Sequence, residues 1–245
     1  MRVMTYNIRH ARGLDGRVDL GRVSRVIREV NADLVGLQEV DQHWGLRSGF
    51  AAQAARLAEG LGMRWAFAAA VPRRWPFPAG RPCGFGNALL SRFPVFGHEV
   101  VTLPRHGTRE NRCLLVARVE ASGREMVVGV THLGLSREER LVHVQTVRQR
   151  LEQAGLPVIL MGDWNDRPGS PEVTAITARW QDAAAVAESL TGTQLATFRY
   201  DSRDGRPDVR IDYIFASPEF RVHSAWTVES EASDHLPLVA DLDWV

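Results

Sequence analysis

The feature that most constrains the fold is a set of short apolar strands that each run into a polar residue. The segment "VILMGDWNDRPGS" (residues 158–170) shows it best, because four apolar residues between Pro157 and Gly162 predict a fully buried strand. Asp163 and Asn165 stand at its end. Both are turn-forming residue types, so a simple turn is one interpretation. The other is a site where a carboxylate and an amide face the same ligand.

The same pattern recurs along the chain. Predicted strands end at Asn7 and Glu39, and a hairpin that turns at Ser122-Gly123 ends at His132. Asp212 lies inside "RIDYIF", and Asp234 with His235 precedes the last strand. Strand ends hold side chains rigidly where loops converge, so these residues are candidates for one common site.

Segments with helical periodicity lie between the predicted strands, and this alternation favours one α/β domain over residues 1–245. Helices are expected from Asp19, in the Ala-rich segment closed by Gly60 and Gly62, after Ser136 (a capping box with Glu139), and from about Pro171. The core stripe expected for the third of these helices is Leu141, Val144, Val147 and Leu151. No repeat or linker justifies a division into domains.

Composition narrows the function class. The formal net charge is +1, which gives no general bias toward nucleic acid or an anionic membrane. No leader-like N-terminus and no apolar run near the ~20 residues of a membrane helix is found, so we expect a cytoplasmic protein without stable membrane insertion. Two cysteines favour free thiols over a disulfide framework.

The residue types suit a hard cation and a phosphate. Glu39 and Asp234 could supply carboxylates to Mg²⁺, and Asn7 a neutral oxygen. His132, His235 and Asn165 can donate hydrogen bonds to phosphate oxygens, and Asp163 or a His–Asp pair can handle protons. In such a pair Asp212 is the natural partner of His235.

Seven motifs in order resemble the endonuclease/exonuclease/phosphatase superfamily: "TYNIR", "LQEV", "GNALLSRFP", "THL", "GDWN", "RIDYIF" and "SDHLP". The resemblance covers essentially the whole chain. It implies a four-layer α/β/β/α sandwich with two mixed sheets, and hydrolysis of phosphoester bonds with Mg²⁺ or Mn²⁺.

The resemblance also implies a role for each motif residue. It makes Glu39 the main metal ligand, with Asn7 nearby and Asp234 as the second metal-side carboxylate. It makes Asp163 the group that aligns or deprotonates water. The remaining phosphate-side residues that it implies are Asn165, His132, His235 and Asp212, the last orienting His235. Whether the general base is the GD-x-N aspartate or the His–Asp pair stays open.

Three further residues have expected roles of their own. Arg112 is a candidate phosphate clamp, with a solvated surface arginine as the alternative. Asn87 is expected to be structural, and Trp164 to pack beneath the site.

The substrate is left open by the sequence. A small phosphodiester, a lipid headgroup or a nucleic acid would fit, and a nuclease or a non-catalytic phosphate-binding module are the alternatives to a phosphodiesterase. The loop at residues 71–83 carries arginines and aromatics that could bind substrate or simply pack. A monomer is expected by analogy with small bacterial members of the superfamily.

Overall fold

The computed structural model describes residues 1–73, 83–105, 110–200 and 205–245, and in these residues the strands form two six-stranded sheets. The first sheet has the order β11-β12-β1-β2-β4-β3. Its strands are β1 (Arg2–Asn7), β2 (Leu34–Gln42), β3 (Arg64–Pro72), β4 (Gly84–Ser91), β11 (Phe220–Thr227) and β12 (Leu238–Trp244). The second sheet has the order β5-β6-β7-β8-β10-β9. Its strands are β5 (Val95–Thr102), β6 (Cys113–Ala121), β7 (Arg124–His132), β8 (Val158–Asp163), β9 (Gln181–Asp182) and β10 (Asp212–Ala216).

Both sheets are mixed, because β1 and β2 pair in parallel, as do β7 and β8, while the other pairs are antiparallel. Helices α1 (Leu20–Val30) and α2 (Gln53–Leu61) pack on the outer face of the first sheet. Helices α3 (Arg137–Glu152) and α4 (Pro171–Thr177) cover the second sheet, and α5 (Ala183–Thr191) packs beside β10 and β11. The expected four-layer α/β/β/α sandwich is confirmed.

The two sheets approach closely at their centres. β1 and β8 face each other there, and the apolar layer between the sheets includes Val3, Leu34 and Met161. A Cβ on Gly36 of β2 would lie 3.0 Å from the Cβ of Met161, so a larger residue would push the sheets apart. The small residue lets the polar ends of these central strands meet across the sandwich.

The expected helices are present, with two corrections. Ser136 caps α3 by accepting from the Glu139 amide, as the capping box predicts. Leu141 is 38% exposed, so its place in the core stripe is wrong, although Val144, Val147 and Leu151 are buried. The other buried residues of α3 are Glu139, Arg140 and His143.

Some elements carry too weak a pattern to have been predicted. The alanine-rich β3, the largely exposed β5, the two-residue β9 and the helix α5 were not anticipated. Gly60 lies inside α2, and only Gly62 ends it, in the left-handed conformation. β12 lies between β11 and β1, and β6, which follows Arg112, is second from an edge of its sheet.

Of the loop expected at 71–83, Val71 and Pro72 belong to β3, and residues 74–82 lie outside the described residues. Among the helices that the structure describes, none has the length and apolar character to span a membrane.

Candidate active site

Strand register gathers the predicted residues at one edge of the sandwich. In the second sheet, β7 pairs His132 with Asp163 of β8, which in turn pairs with Asp212 of β10. In the first sheet, Asn7 ends β1 beside β2. The Asn7 amide joins the two sheets, because its Nδ2 donates to Asp163 Oδ2 at 2.9 Å and to Glu39 Oε1 at 3.1 Å.

Glu39 does not end its strand, contrary to the sequence prediction. β2 continues to Gln42, and its register against β4 shifts between Leu37 and Val40. Glu39 lies in this bulge with φ +57°, a left-handed conformation that costs an L-residue about 1–2 kcal/mol. The bulge therefore stores strain at a candidate ligand. Burial raises the pKa of Glu39, which is the expected effect of removing a carboxylate from water.

Asp163 is the centre of the site. Its Oδ1 accepts from the Asn165 backbone amide at 2.9 Å, which holds Asn165 at φ +51°. Its Oδ2 lies 3.4 Å from His132 Nε2 and 3.6 Å from His235 Nε2. Burial and the neighbouring Asp212 carboxylate raise the pKa of Asp163.

His235 and Asp212 form a buried pair. His235 Nδ1 lies 2.8 Å from Asp212 Oδ2, and the two residues are 5% and 0% exposed. Burial lowers the pKa of His235, but the carboxylates of Asp212 and Asp163 outweigh it and raise the pKa to about 9. The ring of Phe198 packs on the imidazole with centroids 4.6 Å apart. His235 is therefore an imidazolium at neutral pH.

His132 is the opposite case, because burial and the nearby Arg112 hold its pKa well below the usual range. Arg112 Nη1 lies 3.2 Å from His132 Nδ1. A guanidinium can only donate, so Nδ1 accepts and the hydrogen of the neutral ring is on Nε2. That Nε2 lies 2.9 Å from Asn165 Nδ2, which also donates to the Leu133 carbonyl at 3.0 Å. Two N–H donors thus converge at one place.

Arg112 is not a solvated surface arginine. Its side chain is only 11% exposed, and it pairs with Glu110 at 2.9 Å as well as with His132. The surface interpretation is wrong, and whether Arg112 contacts a phosphate stays a prediction.

The residues predicted to hold a metal lie near one another, but they are hydrogen-bonded or ion-paired with other groups. Asp234 Oδ2 pairs with Arg9 Nη1 at 3.1 Å, and Asp234 Oδ1 accepts from the Ser233 hydroxyl at 3.2 Å. Asn7 presents its nitrogen to Glu39, while its Oδ1 accepts from the Arg9 amide. The donor set of carboxylate and amide oxygens fits Mg²⁺ or Mn²⁺, but Asn7 would have to turn its amide and Asp234 to exchange Arg9 for the ion.

A second group of potential ligands is more compact. The ligand atoms of Asp163, Asp212 and His235 lie within 4.8 Å of one another. Because His235 carries a proton shared with Asp212, this group is better described as a hydrogen-bonded network than as a metal site.

Several contributing residues were missed by sequence reasoning. Arg9 stands inside the quoted "TYNIR" and Ser233 inside "SDHLP", so both could have been considered, whereas nothing in the local sequence marks Phe198. Asn87 donates to the Cys113 carbonyl at 2.9 Å and so links β4 to β6, which agrees with the structural role expected of it. Trp164 is fully buried against Phe215 beneath the site, as predicted.

The fold and the site define a four-layer protein with carboxylate, amide and imidazole groups between two mixed sheets. The chain belongs to the endonuclease/exonuclease/phosphatase family, whose model matches residues 4–235. Members of this family are generally hydrolases that act on phosphoesters.

Solved structures of the same fold support this assignment. An endonuclease/exonuclease/phosphatase from Beutenbergia cavernae is 30% identical with a TM-score of 0.78, over 100% of this chain and 71% of that one. A mannosyl-6-phosphatase from Bacteroides thetaiotaomicron is 20% identical with a TM-score of 0.80, over 100% of both chains. The human Nocturnin catalytic domain, which has a bound sulfate anion, is 24% identical with a TM-score of 0.74, over 100% of this chain and 93% of that one. Among curated proteins, no sequence matches the chain significantly.

Proposed function

We propose that the chain is a Mg²⁺- or Mn²⁺-dependent phosphodiesterase that hydrolyses its substrate by in-line attack of water. The observation that carries the proposal is the pair of N–H donors on His132 and Asn165, 2.9 Å apart. Two N–H groups this close can both point at one acceptor, and a phosphate oxygen is such an acceptor. The cations Arg112 and His235 stand on either side of His132 and Asp163, where they would balance the charge of a phosphate.

Protonation favours Asp163 as the general base. An imidazolium with a pKa of about 9 has no lone pair to accept a proton at neutral pH, so His235 acts as a donor to a phosphate oxygen. Asp163 is a carboxylate whose raised pKa makes it a better proton acceptor than an ordinary aspartate. Asp163 therefore orients the attacking water and takes its proton, while Asp212 keeps His235 charged and oriented.

Glu39, with Asp234 and Asn7, would hold the metal ion on the other side of the phosphate. A bound divalent ion supplies Lewis-acid stabilisation of the negative charge that develops on the phosphoryl oxygens. The half-buried Glu39 carboxylate fits this role because a cation at the site would offset the cost of removing it from water.

A groove beside Asn165 offers room for the organic part of the substrate. It has a volume of about 750 Å³, and its walls include Leu135, Phe198 and Tyr200. Leu135 and Tyr200 are 65% and 71% exposed, so both are accessible to a substrate in the groove. A small phosphodiester with an apolar or ring-shaped substituent fits this surface better than a DNA duplex, since the net charge is only +1. We expect the enzyme to act as a monomer.

The test is hydrolysis of bis(p-nitrophenyl) phosphate and p-nitrophenyl phosphate with Mg²⁺, Mn²⁺ or EDTA. Plasmid DNA and a panel of sphingomyelin and lysophospholipids serve as natural diesters. We expect metal-dependent cleavage of the diester that falls at least 100-fold in Glu39→Gln, while Glu59→Gln, at an exposed position of α2, keeps the wild-type rate.

Preferred cleavage of the monoester would replace the phosphodiesterase with a phosphatase, and preferred cleavage of the plasmid would replace it with a nuclease. If none of the phosphoesters is cleaved in the presence of metal, or if Glu39→Gln is fully active, the proposed function is wrong.

A further inference from the structure

The buried side chain of Arg140 ties together the segments that carry the phosphate-side residues. Arg140 is 9% exposed and lies in the first turn of α3. Its Nη1 donates to the Leu135 carbonyl at 2.8 Å, in the loop after β7. Its Nε and Nη2 reach Asp166 Oδ2 at 3.1 and 3.0 Å, in the loop after β8, and its Nε lies 3.8 Å from Glu172 of α4.

The two loops that Arg140 joins must keep a fixed separation for the donor pair to exist. The loop after β7 follows His132 directly, and the loop after β8 holds Asn165. The Asn165 side chain spans the two loops through its bond to the Leu133 carbonyl and its approach to His132 Nε2. A change in loop spacing would therefore move the Asn165 amide away from the imidazole.

The conformation of Asn165 also depends on its next neighbour. Asn165 is left-handed, with φ +51°, a conformation that asparagine tolerates but does not prefer strongly. Asp166 is held at both ends, because its carboxylate pairs with Arg140 and its carbonyl accepts from the Tyr213 hydroxyl at 2.9 Å. Fixing residue 166 in this way limits the conformations open to residue 165.

Stability alone does not explain a buried charge at this position. Glu172 is 1% exposed and neither of its carboxylate oxygens has a hydrogen-bond partner, so the charges around Arg140 are incompletely satisfied. Apolar side chains of similar size are often as stable as such groups or more stable. A guanidinium, by contrast, fixes three segments in direction as well as in distance, since its donors lie in one plane.

We propose that Arg140 is a positioning residue for phosphoester hydrolysis, acting through Asp166 to hold the Asn165 amide against His132. This inference rests on the proposed function, because Asn165 is assigned there to a phosphate oxygen. Arg140 does not touch the substrate, so its loss should lower kcat by about 10- to 100-fold with little change in KM and none in the pH profile of kcat.

The decisive experiment is a double-mutant cycle of Arg140→Met with Asn165→Ala, assayed with bis(p-nitrophenyl) phosphate and Mn²⁺. If Arg140 acts through Asn165, the loss caused by Arg140→Met in the wild type shrinks to less than threefold in the Asn165→Ala background. Asp166→Asn keeps an acceptor for Arg140 and should retain more activity than Asp166→Ala. Arg148→Met removes an exposed ion pair with Glu152 on the same helix and should leave activity unchanged.

A second readout separates this proposal from the proposed function. The NMR signal of the Asn165 side-chain amide should shift in Arg140→Met but not in Arg148→Met, whatever reaction the enzyme catalyses. An unmoved amide signal, wild-type activity in Arg140→Met, or an equal loss in both backgrounds of the cycle would overturn it. If Arg140→Met does not fold, the same cycle is made with Arg140→Lys, which keeps the charge but cannot reach all three segments.

Discussion

Replacement of Gly162 by alanine should damage the active site through the backbone alone. Gly162 pairs with Thr131 in the parallel ladder of β7 and β8. A Cβ at Gly162 would lie 2.2 Å from the Thr131 carbonyl oxygen and 3.0 Å from its carbonyl carbon. Relief of that overlap to an ordinary contact requires a displacement of roughly 1 Å, and backbone atoms cannot rotate away as a side chain can.

The displacement falls next to the reacting groups. The register pair that follows Thr131 and Gly162 is His132 and Asp163, whose Nε2 and Oδ2 lie 3.4 Å apart. A misplacement of about 1 Å costs on the order of 100-fold in rate. Overpacking a buried strand should also lower the free energy of unfolding by about 1–3 kcal/mol.

The assay is hydrolysis of bis(p-nitrophenyl) phosphate, run beside urea denaturation of the same protein. Gly129→Ala in β7 is the matched control, because its new Cβ would meet the Cδ1 atoms of Leu160 and Leu151 at 3.0 and 3.1 Å. Those side-chain ends can move, so Gly129→Ala should cost stability but less than about threefold in rate. A rate for Gly162→Ala within threefold of wild type, or equal rate losses in both variants, would refute the reasoning.

Three further predictions follow from buried groups. His143 accepts from the Gly134 amide through Nδ1 and faces the Pro104 carbonyl with Nε2, and burial lowers its pKa. The contribution of the neutral imidazole to the free energy of unfolding is therefore complete above pH 6.5 and is lost as the pH falls, by at most about 1.4 kcal/mol per pH unit. Urea denaturation at pH 7.5 and 5.5 should show a smaller pH dependence in His143→Gln, and an unchanged one would contradict this origin. Leu151→Ala should lower the free energy of unfolding by about 2–5 kcal/mol and the exposed Leu141→Ala by less than 1, and equal losses would restore Leu141 to the core stripe. Asp212→Asn should lower the pKa of His235 from about 9, as read from an NMR titration in EDTA, and an imidazole that still titrates near 9 would contradict the pairing.

The four-layer fold could be predicted from the resemblance of seven motifs to a known family, and the membership of the site from the polar residues next to the buried strands. The buried strands at residues 158–163 and 34–38 have continuous apolar patterns, and their polar ends follow at once. Polar residues at the termini of buried strands collect where loops converge, so the motif residues Asn7, Asp163 and Asp212 could be assigned to one candidate site before any contact was known.

The backbone conformation of Glu39 could not be predicted in the same way. The segment "LVGLQEV" has apolar residues before Gln38 and again at Val40, so it indicates a strand and gives no sign of a change in backbone conformation at Glu39. The register shift between Leu37 and Val40 depends on how β4 pairs with β2, which is a contact between residues about fifty positions apart in the chain. Local periodicity carries no signal for such a bulge.

The arginines show a second limit of the sequence. All thirty basic residues are arginine, so residue type alone does not separate Arg112 and Arg140, whose side chains are 11% exposed, from Arg148, whose side chain is 41% exposed. Only the position of a guanidinium relative to buried carboxylates and imidazoles distinguishes them, and that position is set by tertiary packing.

These limits bear on how the site is built. Glu39 and Asn165 are both left-handed at positions that face the centre of the site, one in the bulge of β2 and one in the loop after β8, and each is held by bonds from residues outside its own turn. Conformations of this kind persist only where the surrounding structure fixes them more than once. The additional constraints on Asn165 come from the β7–β8 register and the Arg140–Asp166 bond. Those on Glu39 come from the Asn7 amide. Since Asn7 also bonds Asp163, the two strained residues share one link, and a change at Asn7 should disturb the metal side and the phosphate side together.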